Sequence, residues 1–235
     1  MEAIPARRLG PASTDVAPVD KSTTAAEAVR RIAPGDSIMV GGFMDVGAPG
    51  AILDELIKHG ADDLTIIAND AATPESSLGR LLLSGIVAKL ITCYAGGNRA
   101  VQEMARASRL ELEFIPLGTL LERIRTAGAG LGGVLTPTGV GTPIADGKPT
   151  YKLGGRTYLV EEPLGADVAL LSAFRADKYG NLVYRGTARN FNPVMATAAD
   201  LVIAEVEQIF ETGDLDPDRV GTPGVFVDAV FERLA

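Results

Sequence analysis

The chain has 235 residues, 46% of them hydrophobic and 5% aromatic, with 27 glycines, no tryptophan and a net charge of -8 at pH 7. That length and apolar content allow one large domain with a full core, and the glycine-rich, aromatic-poor composition favours helices covering a sheet over an all-β sandwich. The acidic charge, with no basic stripe to offset it, argues against nucleic acid and anionic membranes as partners, and no apolar run approaches the roughly 18 residues of a membrane span.

Residues 1–20 are rich in Pro, Ala and Ser without periodicity, and are expected to form a flexible N-terminal tail ahead of a domain over residues 21–235. No apolar stretch follows a positively charged start, so no signal peptide is expected. A first helix is expected over 22–33, closed by Pro34-Gly35-Asp36. Ser37-Ile38-Met39-Val40 reads as a short buried strand ending at Gly41-Gly42. Pro49 then suits the start of a helix from Gly50 to His59, with Ile52, Leu53, Leu56 and Ile57 as its apolar stripe and Gly60 as its C-cap. The same alternation continues: strands over 64–68, 88–94 and 112–115, and helices over 77–84, 100–108 and 119–127. Strand, turn, helix and strand in repetition predict right-handed crossovers and an open, mostly parallel α/β sheet flanked by helices. Residues 128–147 read as a long loop, 152–160 as a hairpin turning at Gly154-Gly155, and 166–174 and 201–206 as further strands joined by a partly helical segment over 188–199.

The most informative segment is Val40-Gly41-Gly42-Phe43-Met44-Asp45-Val46-Gly47-Ala48-Pro49, between a buried strand and a helix. Ligands of open parallel sheets sit beyond the carboxyl ends of the strands. Glycines there let backbone N–H groups approach a ligand, and a helix N-terminus favours an anion. The competing reading is a tight strand-to-helix turn with no ligand.

This segment resembles the glycine-rich signature of the family I CoA transferases. Other blocks resemble the same family in the expected order: Ile67-Ala68-Asn69-Asp70, Pro116-Leu117-Gly118-Thr119-Leu120, Glu122-Arg123-Ile124-Arg125, Gly128-Ala129-Gly130, Thr136 to Thr142, Asp177 to Leu182 and Ala188-Arg189-Asn190-Phe191-Asn192. The resemblance implies a CoA-transferase-like fold and an alpha subunit of the acetate, acetoacetate or butyrate type, with 3-oxoadipate or succinyl transfer close behind. It implies a beta-subunit partner in an α2β2 assembly, a coenzyme A thioester as substrate with no permanently bound cofactor, and a cytoplasmic enzyme. It also implies a catalytic Glu on the beta subunit, which attacks the thioester to give a mixed anhydride and then a glutamyl-CoA thioester. No loop of the matching kind occurs here, and Glu55, Glu103, Glu122, Glu161 and Glu162 lie in helical or ordinary turn contexts, so no catalytic residue is expected in this chain. The CoA- and substrate-binding wall is expected from Gly41, Gly42, Phe43, Met44, Asp45, Val46 and Gly47, with Asn69, Asn98, Gly128 and Gly130. Three positions depart from the family pattern: Pro34, Leu117 where Gln is common, and Asp45 where a small residue is common. An acid at Asp45 would face an anionic ligand unfavourably unless it points away.

Weaker signals point elsewhere. Gly128 to Gly133 satisfies G-x-G-x-x-G but follows a helix and lacks the later acid, so dinucleotide binding is disfavoured. His59, the one histidine, suits the last turn of a helix better than catalysis. Cys93, the one cysteine, excludes an internal disulfide and fits a reducing compartment, and it reads as a small buried hydrophobe. The acidic stretch over 211–218 lacks EF-hand spacing, so no metal site is expected. Arg189 to Asn192 braces either the cleft or a subunit contact, or caps a helix entering Pro193. Two readings from other classes remain: a ligand-sensing or sugar-phosphate-binding module on a related fold, and a subunit with a purely structural role.

Overall fold

In a computed structural model, residues 19–233 are described. The segment expected as a flexible tail falls outside them up to residue 18. Lys21, at the start of the expected domain, donates its backbone N–H to the Lys178 carbonyl and accepts from the Val230 N–H.

The strands β1 (Ser37–Val40), β2 (Leu64–Asp70), β3 (Val87–Tyr94) and β4 (Glu111–Phe114) alternate with the helices α1 (Ala25–Val29), α2 (Gly50–His59), α3 (Ser77–Leu83), α4 (Arg99–Arg106) and α5 (Leu117–Gly128). The chain continues through β5 (Val134–Thr136), β6 (Thr150–Leu153), β7 (Arg156–Glu161), β8 (Ala166–Asp177), β9 (Leu182–Val183), α6 (Asn192–Met195), β10 (Ala199–Phe210) and β11 (Ala229–Glu232). The large sheet has the order β11-β10-β8-β1-β2-β3-β4 and is parallel throughout, with β9 added antiparallel to β8. The strand order reverses between β1 and β8, and that junction is where an open sheet of this kind opens a crevice.

Side-chain alternation divides the sheet into two cores. Ile38, Val40, Ile66, Leu90, Val168 and Leu170 face one way, against α1 to α4. Met39, Ile67, Ile91, Ala169 and Leu171 face the other way, with Leu120 and Ile124 of α5 and Met195 of α6. Because both faces are covered, the strands read as continuous apolar runs. Helix α2 shows the local cause: Ile52, Leu53 and Leu56 are fully buried, each burial stabilising by about 2 kcal/mol. Its C-cap Gly60 takes the left-handed conformation at φ 75°.

The first helix is shorter than expected. Thr24 and Glu27 form a reciprocal capping box that starts it at Ala25, and its last turn closes before Pro34. The expected long loop contains β5, which joins β7 and β6 in a separate antiparallel sheet of order β5-β7-β6. The β6-β7 turn holds Gly154 and Gly155 at φ 57° and 77°, as a two-residue hairpin of matching twist requires.

Candidate active site

The glycine-rich segment leaves β1 at the reversal point and is tied to the chain on both sides. Gly41 N–H donates to the Leu170 carbonyl on β8. Gly42 N–H donates to Asn190 Oδ1 at 3.1 Å, and Met44 N–H to Asp70 Oδ2 at 3.0 Å. Phe43 and Val46 exchange backbone hydrogen bonds with each other. Gly41, Gly42, Phe43, Met44 and Val46 thus have their N–H groups engaged inside the protein. Among the described residues, Asp45 and Gly47 alone in this segment have N–H groups without an internal acceptor, so the expected continuous row of donors shrinks to two. Met44 and Asp45 sit at φ 47° and 72°, and Gly47 at 75°. Left-handed residues other than glycine are costly and are held only by such anchoring.

Asn190 and Asn192 supply the second side. Asn190 Nδ2 donates to the Val46 carbonyl at 3.0 Å. Asn192, fully buried, donates from Nδ2 to the Gly47 carbonyl at 3.1 Å and accepts at Oδ1 from the Ser172 N–H at 3.0 Å. A Cβ on Gly41 would run into that Asn192 amide, so the residue must be glycine for the two segments to meet. Of the readings open for residues 189–192, the structure shows the brace: these amides bind the glycine-rich loop, and neither caps α6.

Asp45 points away from the crevice, and its carboxylate accepts from Ser77 Oγ at 2.6 Å at the start of α3. The N-terminus of α2, expected to attract a ligand anion, is already occupied. Glu205 of β10, 1% exposed, accepts from the Ala51 and Ile52 N–H groups at 2.8 and 3.1 Å. Burial raises its pKa above the ordinary carboxylate value, the two N–H donors and Arg233 opposing that shift. The internal carboxylate satisfies the helix donors and its dipole, leaving that end closed to ligands.

A cavity of about 460 Å³ opens beside this loop, lined by Phe43, Val46, Asn69, Leu117, Leu121, Thr187, Asn190 and Phe191. It lies beyond the carboxyl ends of β1 and β2, between the start of α5 and the segment ahead of α6. The Asn69 carbonyl accepts from Cys93 Sγ at 2.7 Å and Thr92 Oγ1 at 3.1 Å, which fixes the end of β2. Cys93 is half-buried, and its thiol pKa is raised by burial and the nearby Asp70. Among the described residues, no cluster of His, Cys, Asp or Glu is placed to hold a metal ion, and no helix is long and apolar enough to cross a membrane.

The expected binding residues separate in space. Phe43, Val46 and Asn69 meet at the cavity. Asn98 does not: fully buried, it caps α4 through the Val101 N–H and donates to the Ala71 carbonyl. Gly128 and Gly130 lie at the far end of α5, a 12-residue helix about 18 Å long. Gly128 packs on Thr197, and the adjacent Ala127 lines a different cavity with Ser37 and Ala166, at the starting ends of β1 and β8. Sequence reasoning passed over Glu205, Leu121 and Thr187. Only the asparagines of Ala188-Arg189-Asn190-Phe191-Asn192 carried a signal that could have found this wall.

A profile of the family described as Coenzyme A transferase matches residues 22–233. The chain belongs to this family. The alpha chain of the acetate CoA-transferase of Escherichia coli K12 is 46% identical over 84% of this chain and 90% of its own length. The corresponding chain of the 3-oxoadipate CoA-transferase of Pseudomonas putida is 47% identical over 87% of this chain and 90% of its own. The acyl-CoA transferase YdiF of E. coli O157:H7, solved as a thioester complex with CoA, matches with a TM-score of 0.81 over 92% of this chain at 19% identity. This CoA transferase chain spans 47% of that longer chain, and at such identity the likeness shows the shared fold. The two bacterial relatives are each named as one subunit of a transferase.

Proposed function

We propose that this chain forms one wall of the active site of a two-subunit CoA transferase, and that a beta subunit carries the nucleophilic glutamate. The observation behind this reading is the lining of the 460 Å³ cavity, which holds two amides and one hydroxyl but no carboxylate, thiol, imidazole or amine. A covalent mechanism needs a nucleophile within reach, and this wall has none. Five glutamates are engaged elsewhere: Glu55, Glu103 and Glu122 pair with Lys58, Arg99 and Arg125, Glu161 with Lys148, and Glu205 caps α2.

In this reading, the partner's carboxylate attacks the thioester carbonyl and releases CoA as a thiolate, leaving an acyl-glutamyl anhydride. The thiolate attacks the glutamyl carbonyl, freeing the first acid and giving a glutamyl thioester. The acceptor carboxylate reverses both steps. This chain orients the acyl group against Phe43, Val46 and Asn69. Asn98, Gly128 and Gly130, expected at this site, serve the framework. CoA is a substrate, the pair functions as α2β2 in the cytoplasm, and the acids are short carboxylic or 3-oxo acids.

The test is CoA transfer from acetoacetyl-CoA to acetate, measured with this chain alone and with its beta subunit. Activity that requires both is expected. Full activity of this chain alone would overturn the division of labour.

A further inference from the structure

The relatives at about the same identity act, by their names, on acids of different charge, acetate in one and 3-oxoadipate in another, so similarity does not choose between them. The cavity does. Five of its eight lining residues are apolar: Phe43, Val46, Leu117, Leu121 and Phe191. Leu117 and Leu121 are four apart on α5, so they stack on one helix face. Phe43 and Val46 pair across the loop bridge and project to one side. No lysine or arginine lines the space. Arg189, next to Asn190 in sequence, is exposed and is not among the lining residues. A buried acid stands behind one lining amide: Asp70 Oδ2 accepts from Asn69 Nδ2 at 3.3 Å.

Building on the transferase reading, we infer that the acyl tail taken by this cavity is uncharged, and that Leu117 and Leu121 exclude acids with a second carboxylate. A tail carboxylate would lose its water against leucine and phenylalanine, with no cation on this wall to meet it and only the Asn69 and Asn190 amides and the Thr187 hydroxyl as polar partners. A methyl or ethyl end gains from the same walls. The acids selected are short monocarboxylic and 3-oxo monocarboxylic acids.

The experiment compares butyrate with succinate as acceptor from acetoacetyl-CoA, using the complex of this chain with its beta subunit. The two acids have equal carbon number and differ by a terminal methyl against a carboxylate. Wild type is expected to favour butyrate in kcat/KM on the order of a hundredfold or more. Leu117 is 46% exposed, so a charge there leaves the core intact. Leu117→Arg is expected to narrow the ratio by about tenfold or more, raising succinate and lowering butyrate, while Leu117→Glu widens it. Equal or better use of succinate by wild type would overturn the inference and leave the transferase reading standing, as would a ratio that neither variant moves. No transfer to any acid would sink the transferase reading, and the inference with it.

Discussion

The segments 41–47 and 128–133 are both glycine-rich turns at the end of a helix or strand, yet the fold holds them differently. The first is fastened by Asn190 and Asn192 from beyond β8, and by Asp70 from the end of β2. The second lies at the end of α5, exposed from Ala129 to Gly132. Gly130 and Gly132 have nothing within 4 Å of where a Cβ would sit, whereas at Gly41 and Gly47 the Asn192 amide and the Ala188 carbonyl already fill that place. Glycine at Gly130 and Gly132 is open connection, and at Gly41 and Gly47 it is close-approach surface. A glycine-rich turn becomes a site wall through what packs against it, and composition alone does not reveal that.

Adding one methyl in each segment sharpens the contrast. Gly41→Ala is expected to cost about 3 kcal/mol or more, because the Asn192 amide is buried and bonded on both sides, and to abolish transfer in the assembled enzyme. Chemical denaturation and the acetoacetyl-CoA assay check this. A variant of native stability and full activity would break the comparison.

The carboxylate behind the first segment gives the next effect. Glu205→Ala strands the Ala51 and Ile52 N–H groups at the α2 terminus and is expected to cost about 2 kcal/mol. Its pH dependence has a definite sign. Burial raises the native pKa above the ordinary 4.5, so the native state holds a proton that the unfolded chain has released. The Glu205 contribution is then full below 4.5 and is lost as pH rises through the higher native value. Glu205→Gln keeps one acceptor oxygen and removes this slope. Unfolding free energies across that pH range decide it, and an unchanged slope in the glutamine variant would assign it to another group.

The second segment gives the smallest effects. Gly130→Ala places a Cβ at φ 66° and is expected to cost about 1 kcal/mol. Gly132→Ala meets no neighbour and has no positive φ, so a change within about 0.5 kcal/mol is expected. Loss of transfer activity in Gly132→Ala without loss of stability would return this segment to the site.

Much of the architecture was readable from local pattern. Helix α2 begins and ends as its apolar stripe and Gly60 indicate, and β1 occupies the expected four residues, because periodicity and capping act within a few neighbours. The short β9 was not: its two residues are too few for a period to show. Glu205 was equally hidden. In Ala204-Glu205-Val206-Glu207 it alternates like an outward residue of a half-exposed strand, and only the arrival of α2 over that face buries it.

By itself, the sequence determined the α/β alternation, the family and the placement of the glycine-rich loop after β1, since each rests on residue types at short spacing. The tertiary structure alone decided which of the motif residues share a space. Asn190 lies more than a hundred residues from Val46 in the chain, yet donates to its carbonyl at 3.0 Å, because the sheet order seats β8 beside β1. Asn98 and Gly128, grouped with the loop residues as site candidates, turn into a buried cap and a distant helix end for the same reason: strand order and helix length set distance, and neither is written in any local stretch of the chain.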